Sequence, residues 1–205
     1  GADYDVYGQV VRATGALSGT NFQINAGANN QRVHDVVYDP AANHYLVVWG
    51  DAGDNRVEGQ LLDGAGNLIG TSPFTVTGAG GDLPRAAYDS NRNSYLVVYA
   101  QGTADIYGQA VAADGSLSGS PFAICTASDN QSYPDVEFNS NTHEYLVVWW
   151  DRRNSGTSNT DIYARRINQD GVPQGSEIVV SNAADVQAMP RVAYNSRVNQ
   201  WLVAW

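Results

Sequence analysis

A tryptophan, an aspartate and two arginines follow one another at Trp150, Asp151, Arg152 and Arg153. An aromatic face flanked by a cation and an acid suits a sugar ring or a peptide anchor. Gln131 and Tyr133 fall in a neighbouring loop and are candidates for the same ligand-binding patch. A second chemistry is that of paired carboxylates, which cleave glycosides from two sides of the scissile bond. Asp51, Asp82 and Asp151 are the acids whose loops point to a common mouth. A third is cation binding. Asp5, Asp105 and Asp161 recur at the start of equivalent segments, where an acid either ligates calcium or accepts backbone N–H groups. Calcium takes about six to eight oxygens, and no contiguous acidic loop is present to supply them. The three histidines, His34, His44 and His143, are spread over two different kinds of loop. No G-x-S-x-G, H-E-x-x-H or phosphate-loop pattern occurs.

These residues belong to a repeating frame. "YLVVW" at 45–49 returns as "YLVVY" at 95–99, "YLVVW" at 145–149 and "WLVAW" at 201–205, with steps of 50, 50 and 56 residues. Three further elements keep the same beat. They are "DVYGQVV", "RVEGQLL", "DIYGQAV" and "DIYARRI"; "GTNFQI", "GTSPFTV", "GSPFAI" and "GSEIVV"; and "HDVVYDP", "PRAAYDS", "PDVEFNS" and "PRVAYNS". A period near 50 with four short apolar segments per unit is the signature of β-propeller blades. Asn-, Asp- and Ser-rich links such as "DPAANH" and Asp-Gly links such as "DGAGN" read as hairpin turns, so Asp63, Asp114 and Asp170 are turn residues.

The expectation is an all-β fold: a single β-propeller domain over 1–205, with four blades of four antiparallel strands, A to D from the axis outward. The chain opens on a C strand and ends on a B strand. The last A and B strands therefore complete a blade only with the first C and D strands, closing the ring and hiding its edges. The same four units could also belong to a larger ring or form half of an eight-bladed dimer. The B strand, apolar on both faces, packs between neighbouring blades.

The repeat resembles that of bacterial secreted and cell-surface β-propeller proteins. Their unit is Asp-Ile-Tyr-Gly-Gln, an Asp-Gly turn, Gly-x-x-Phe-x-Ile, Gln-x-x-Pro and Tyr-Leu-Val-Val-Trp. The third unit carries it best, as "DIYGQAVAADGSLSGSPFAI", "QSYP" and "YLVVWWD". The second departs at Glu58 and "GGDLP", the fourth at Ala164 and Arg165. The resemblance implies a propeller in an extracellular or cell-surface setting. It implies no particular activity.

Repetition separates frame from site. Tyr45, Trp49, Tyr95, Tyr99, Tyr145, Trp149, Trp201 and Trp205 recur and are core, Tyr7, Tyr107 and Tyr163 pack between blades, and Gln9, Gln60 and Gln109 hydrogen-bond between blades. Trp150 stands where other units have Gly50 and Ala100, on the strand face opposite Trp149, and it opens the longest B–C loop, "WDRRNSGTSNT". A net charge of −10 speaks against nucleic acid as a partner. No apolar run reaches the roughly 18 residues of a membrane helix, and the single Cys125 permits no internal disulfide. The reading placed first is a non-catalytic extracellular module binding a glycan or protein ligand, with no cofactor except calcium at the three acids. A polysaccharide hydrolase or lyase using acids at the channel mouth is the alternative. An assembly module forming homo-oligomers is a third.

Overall fold

The computed structural model describes residues 4–205 apart from 28, 103, 104, 155, 157 and 158, and apart from the Val33 side chain. It is all-β, with antiparallel strands paired in chain order. Strands β1 (Val6–Val11) and β2 (Leu17–Asn25) form a two-stranded sheet. The first complete blade is β3 (Gln31–Asp39), β4 (His44–Asp51), β5 (Arg56–Asp63) and β6 (Leu68–Thr75). The second is β7 (Gly81–Asp89), β8 (Ser94–Gln101), β9 (Asp105–Ala112) and β10 (Leu117–Cys125). The third is β11 (Gln131–Asn139), β12 (Glu144–Asp151), β13 (Asp161–Asn168) and β14 (Pro173–Ser181). Strands β15 (Arg191–Asn195) and β16 (Gln200–Ala204) form a second two-stranded sheet. Among the described residues no helix is long and apolar enough to cross a membrane.

The cores lie between blades. Strands β4, β8 and β12 are buried along nearly their whole length. Leu46, Val48, Tyr95, Val97 and Tyr99 join the first blade to the second. Leu96, Val98, Ile124, Tyr145 and Trp149 join the second to the third. Val6, Ile24, Val47 and Trp49 seat β1–β2 on the first blade, and Leu146, Val148 and Val192 seat β15–β16 on the third. Among the described residues β1–β2 and β15–β16 are two separate sheets, without the expected pairing between them. The fourth copy of the apolar B strand is therefore uncovered on one side. Leu202 is 71% exposed where Leu46, Leu96 and Leu146 are at most 5%. Trp205, expected in the core, is 55% exposed for the same reason.

The repeated residues have local causes. Asp39 accepts the N–H groups of Ala41 and Ala42, Asp89 those of Asn91 and Arg92, and Asn139 those of Asn141 and Thr142. Each A–B turn is thus wound by its own Asx side chain, and it ends on Asn43, Asn93 or His143 at positive φ. Gln60 donates to the carbonyls of Leu61 and Ile69, Gln109 to those of Ala110 and Ser118, and Gln9 to those of Val10 and Ser18. These glutamines span the bulged C–D pairing within one blade, which corrects the expectation that they bridge blades. A β-bulge strands backbone carbonyls, and the amide satisfies them. Tyr107 and Tyr163 stack on Tyr99 and Trp149 of their own blades, while Tyr7 lies 55% exposed.

The glycine of Tyr-Gly-Gln is explained by the strand beside it. A Cβ on Gly8, Gly59 or Gly108 would come within 2.7 Å of the ring of Phe22, Phe74 or Phe122 respectively. The fourth unit exchanges both members at once: Ala164 stands opposite Ile178.

Candidate active site

The six candidates of the ligand patch do not form one surface. Gln131 is buried, and its amide donates to the carbonyls of Ser128 and Asp129, so it winds the loop that enters β11. Asp151 is fully buried. One oxygen accepts the backbone N–H of Arg153 at 2.8 Å; the other accepts Trp149 Nε1 at 3.0 Å and Arg153 Nη2 at 2.6 Å. Arg153 also meets Glu177 at 2.6 Å and lies 4.1 Å from the Tyr163 ring centroid. Burial alone would lower the guanidinium pKa, but the bonds to Asp151 and Glu177 outweigh it and hold Arg153 firmly charged. Asp151 and Arg153 are thus an internal ion pair that fastens the start of the long loop. Cys125 is part of the same cluster, and burial pushes its thiol up to about 12. Trp150, Tyr133 and Arg152 remain at the surface. Trp150 stacks on Tyr133, ring centroids 6.0 Å apart at 22°, both half-buried, with Arg152 exposed beside them. Ser155, Thr157 and Ser158 of this loop lie outside the described residues.

The acids expected at the mouth do not converge. Asp51 is buried, winding its own loop through the N–H groups of Gly53 and Asp54. Asp82 accepts the N–H of Leu83 and lies over Gly50, where a Cβ would meet its Oδ1 at 2.5 Å. The calcium candidates also stay apart. Asp5 accepts Gln23, Asp105 faces Gln101 across its blade, and the fully buried Asp161 accepts Asn154 at 2.9 Å and faces Asp151. Among the described residues, no group of three or more His, Cys, Asp or Glu side chains is arranged to hold a metal ion.

The structure gathers other charges. The inner strands β3, β7, β11 and β15 line one axial cavity of ≈ 640 Å³. At one level these strands carry Asp35, Arg85, Asp135 and Arg191, acid and base in alternation. Asp35 accepts the N–H of Ala86 at 3.0 Å, and Asp135 that of Val192 at 2.8 Å, so each acid ties its blade to the next. Arg85 lies 3.9 Å from Asp135. Burial, with the nearby Arg191 charge, lowers the Arg85 pKa. One step further down β11 is Glu137, which lines the same cavity. Burial raises the Glu137 pKa, and the charges of Asp135 and Asp35 raise it further. Burial also raises Asp135, but Arg191 and Arg85 act against that rise. The two carboxyls therefore differ: Glu137 has only carboxylates for charged company, whereas Asp135 has two guanidinium groups.

Glu137 was readable and missed. Its equivalents are Val37, Ala87 and Ala193, so the rule that singled out Trp150 also singles out this lone acid in an inner strand. A bulge before it hides its direction. The pairing register shifts between Ser132 and Asp135, with Tyr133 at φ 50.

No family model and no curated protein sequence matches the chain. Solved structures do. An exo-β-1,3-galactanase from Phanerochaete chrysosporium superposes with a TM-score of 0.58 at 12% identity, over 86% of this chain and 44% of its own. An endo-arabinase from Bacteroides thetaiotaomicron gives 0.52 at 9%, over 75% and 56%. The catalytic domain of a GH62 α-L-arabinofuranosidase from Coprinopsis cinerea gives 0.54 at 11%, over 87% and 64%. The chain thus spans less than two thirds of the length of each of these structures. At such identities the likeness is one of fold. It nevertheless overturns the expectation that this scaffold is a non-catalytic binding module rather than an enzyme. The blade arrangement read as catalytically bare is shared with enzymes that cleave glycans.

Proposed function

We propose that the chain carries the carbohydrate-cleaving core of a polysaccharide hydrolase, with the axial carboxyls as its reacting groups. The observation behind this is Glu137, an acid at a position where the other units have none, its pKa raised by burial inside a cavity that Asp35 and Asp135 also line. Glycoside hydrolysis needs one carboxyl that gives a proton to the leaving oxygen and a second, ionised, on the other side of the sugar. Glu137 is the proton donor. Asp35, on β3 across the axis from β11, is the carboxylate that stabilises positive charge developing at the anomeric carbon. Arg85 and Arg191 keep the shared charge of the site in balance. An extracellular setting follows from substrates too large to enter a cell.

The test is release of reducing ends from arabinan, β-1,3-galactan and arabinoxylan. Glu137→Gln is expected to lose about 10²–10⁴-fold in turnover and Asp35→Asn to lose activity as well. Because Asp35 also ties two blades together, Glu137→Gln is the cleaner variant. A wild-type protein without turnover on this panel would overturn the proposal.

We also infer that the ring closes on itself as four blades, β1–β2 completing the blade begun by β15–β16. In favour, all four inner strands line one cavity. The two uncovered faces, at Leu202 and at Val36, are those that neighbouring blades cover elsewhere. The register of the complete blades, in which Val47 faces Gln60 and Val97 faces Gln109, would set Val203 opposite Gln9.

A further inference from the structure

We propose that Trp150 and Tyr133 form a sugar-stacking platform beside the axis, a subsite for a neutral glycan chain; this rests on the hydrolase reading and names where its substrate is held. The fold does not require a tryptophan here. At the same position of the other two complete blades Gly50 and Ala100 suffice, and the joint between the first and second blades is filled there by the Asp82 carboxylate instead. In the fourth unit the residue equivalent to Asp82 is Ala188, which is exposed and leaves Trp150 room.

Tyr133 is brought to the tryptophan by a backbone device. It takes φ 50 in the bulge of β11, immediately before Pro134 and two residues before the axial Asp135. The aromatic pair therefore sits at the end of β11 from which the strand enters the charged axial layer. The neighbours keep the platform rigid. Asp151 and Arg153, on either side of Arg152, are pinned inward by their ion pair and cannot fold across the rings. A preorganised aromatic surface loses little conformational entropy on binding. Aromatic faces take the C–H face of a sugar, and exposed Arg152 beside them offers donors to its hydroxyls. The net charge of −10 disfavours acidic polysaccharides and peptides.

The test uses the full chain carrying Glu137→Gln, so that substrate persists. Calorimetric titrations with arabino-, β-1,3-galacto- and cello-oligosaccharides compare it with the same protein bearing Trp150→Ala, Tyr133→Ala or Trp150→Phe. Loss of affinity of about ten-fold in both alanine variants, with recovery in Trp150→Phe, is the expected result. Unchanged affinity in Trp150→Ala, or binding by none of these saccharides, overturns the platform. Saccharide binding that depends on Trp150 in a protein whose wild type turns nothing over would leave the platform standing and sink only the hydrolase reading.

Discussion

The phenol of Tyr145 donates to Asp89 Oδ2 at 3.2 Å across the joint between the second and third blades, and Tyr95 makes the same bond to Asp39 at 3.4 Å across the preceding joint. Each acceptor is fully buried and uses its other oxygen to wind its own A–B turn. One aspartate thereby shapes a hairpin and latches the next blade. The joint between the third blade and β15–β16 departs from this in both members. Trp201 replaces the tyrosine, its Nε1 buried without a partner, and Asn139 replaces the aspartate and bonds Asn199 instead. Tyr145→Phe removes one such latch, leaving Asp89 Oδ2 with the Gln169 amide as its remaining side-chain donor. Chemical denaturation should show a loss of about 1–2 kcal/mol, with a comparable loss for Tyr95→Phe.

Volume exchange between neighbouring strands gives a second prediction. Gly108→Ala pushes a methyl into the Phe122 ring and should destabilise by about 1–3 kcal/mol. Adding Phe122→Ile recreates the Ala164–Ile178 pair of the fourth unit. The double variant should regain most of the loss, and a double-mutant cycle would measure the coupling. Additive losses would mean that the pairing is incidental.

Arg153 offers a third. Its removal leaves Asp151 buried with no counter-charge, a situation that typically destabilises by about 3–5 kcal/mol. Arg153→Ala should therefore lower the melting temperature sharply. The exposed Arg152→Ala should leave it nearly unchanged, which thermal unfolding of the two variants side by side would show.

A fourth concerns pH. The folded-state pKa of Glu137 is raised, first by burial. Folding thus favours its protonated form. The associated stability is fully present below the ordinary value of 4.5 and is lost as pH rises through the raised value. Glu137→Gln is neutral throughout and escapes that loss. It should melt close to wild type in acid and higher at pH near 7, by roughly 2–4 °C for each kcal/mol. The same titration would set the alkaline limb of any hydrolytic rate profile, since the ionised carboxyl has no proton to give.

Ring closure is tested by cysteines at Gln9 and Val203. Cys125 is buried with a raised pKa and stays out of the exchange. Oxidation should yield a disulfide within one chain. A bridge between two chains would indicate that closure uses a second copy, and no bridge would place the two half-blades apart in solution.

The frame was legible in the sequence because every blade solves the same packing problem with the same residues. Four returns of the Tyr-Leu-Val-Val-Trp run and the Asp- and Asn-bearing turns were enough to give strand order and hairpins. The site was less legible, for a reason visible in β11. A repeat tells which positions depart from the pattern, and Trp150 and Glu137 both do. It does not tell which way a departing side chain points once a bulge has shifted the register. Asp151 and Arg153 looked like surface charges because they hold each other inward, and the second partner of Arg153, Glu177, comes from β14 at the far side of the blade. Gln60 and Gln109 were misassigned similarly: the carbonyls they serve are exposed by bulges that leave no signature in composition.

The packed clusters also dictate an order of events as the polypeptide is made. None belongs to one blade alone. The earliest runs from Val6 to Leu62, the next from Leu46 to Val111, the next from Ala87 to Ile167, and the last adds Val192 and Val203. A blade leaving the ribosome has no interior until half of the following one has appeared. The nascent protein then consolidates in steps, each about one blade long and offset by half a blade from the repeat.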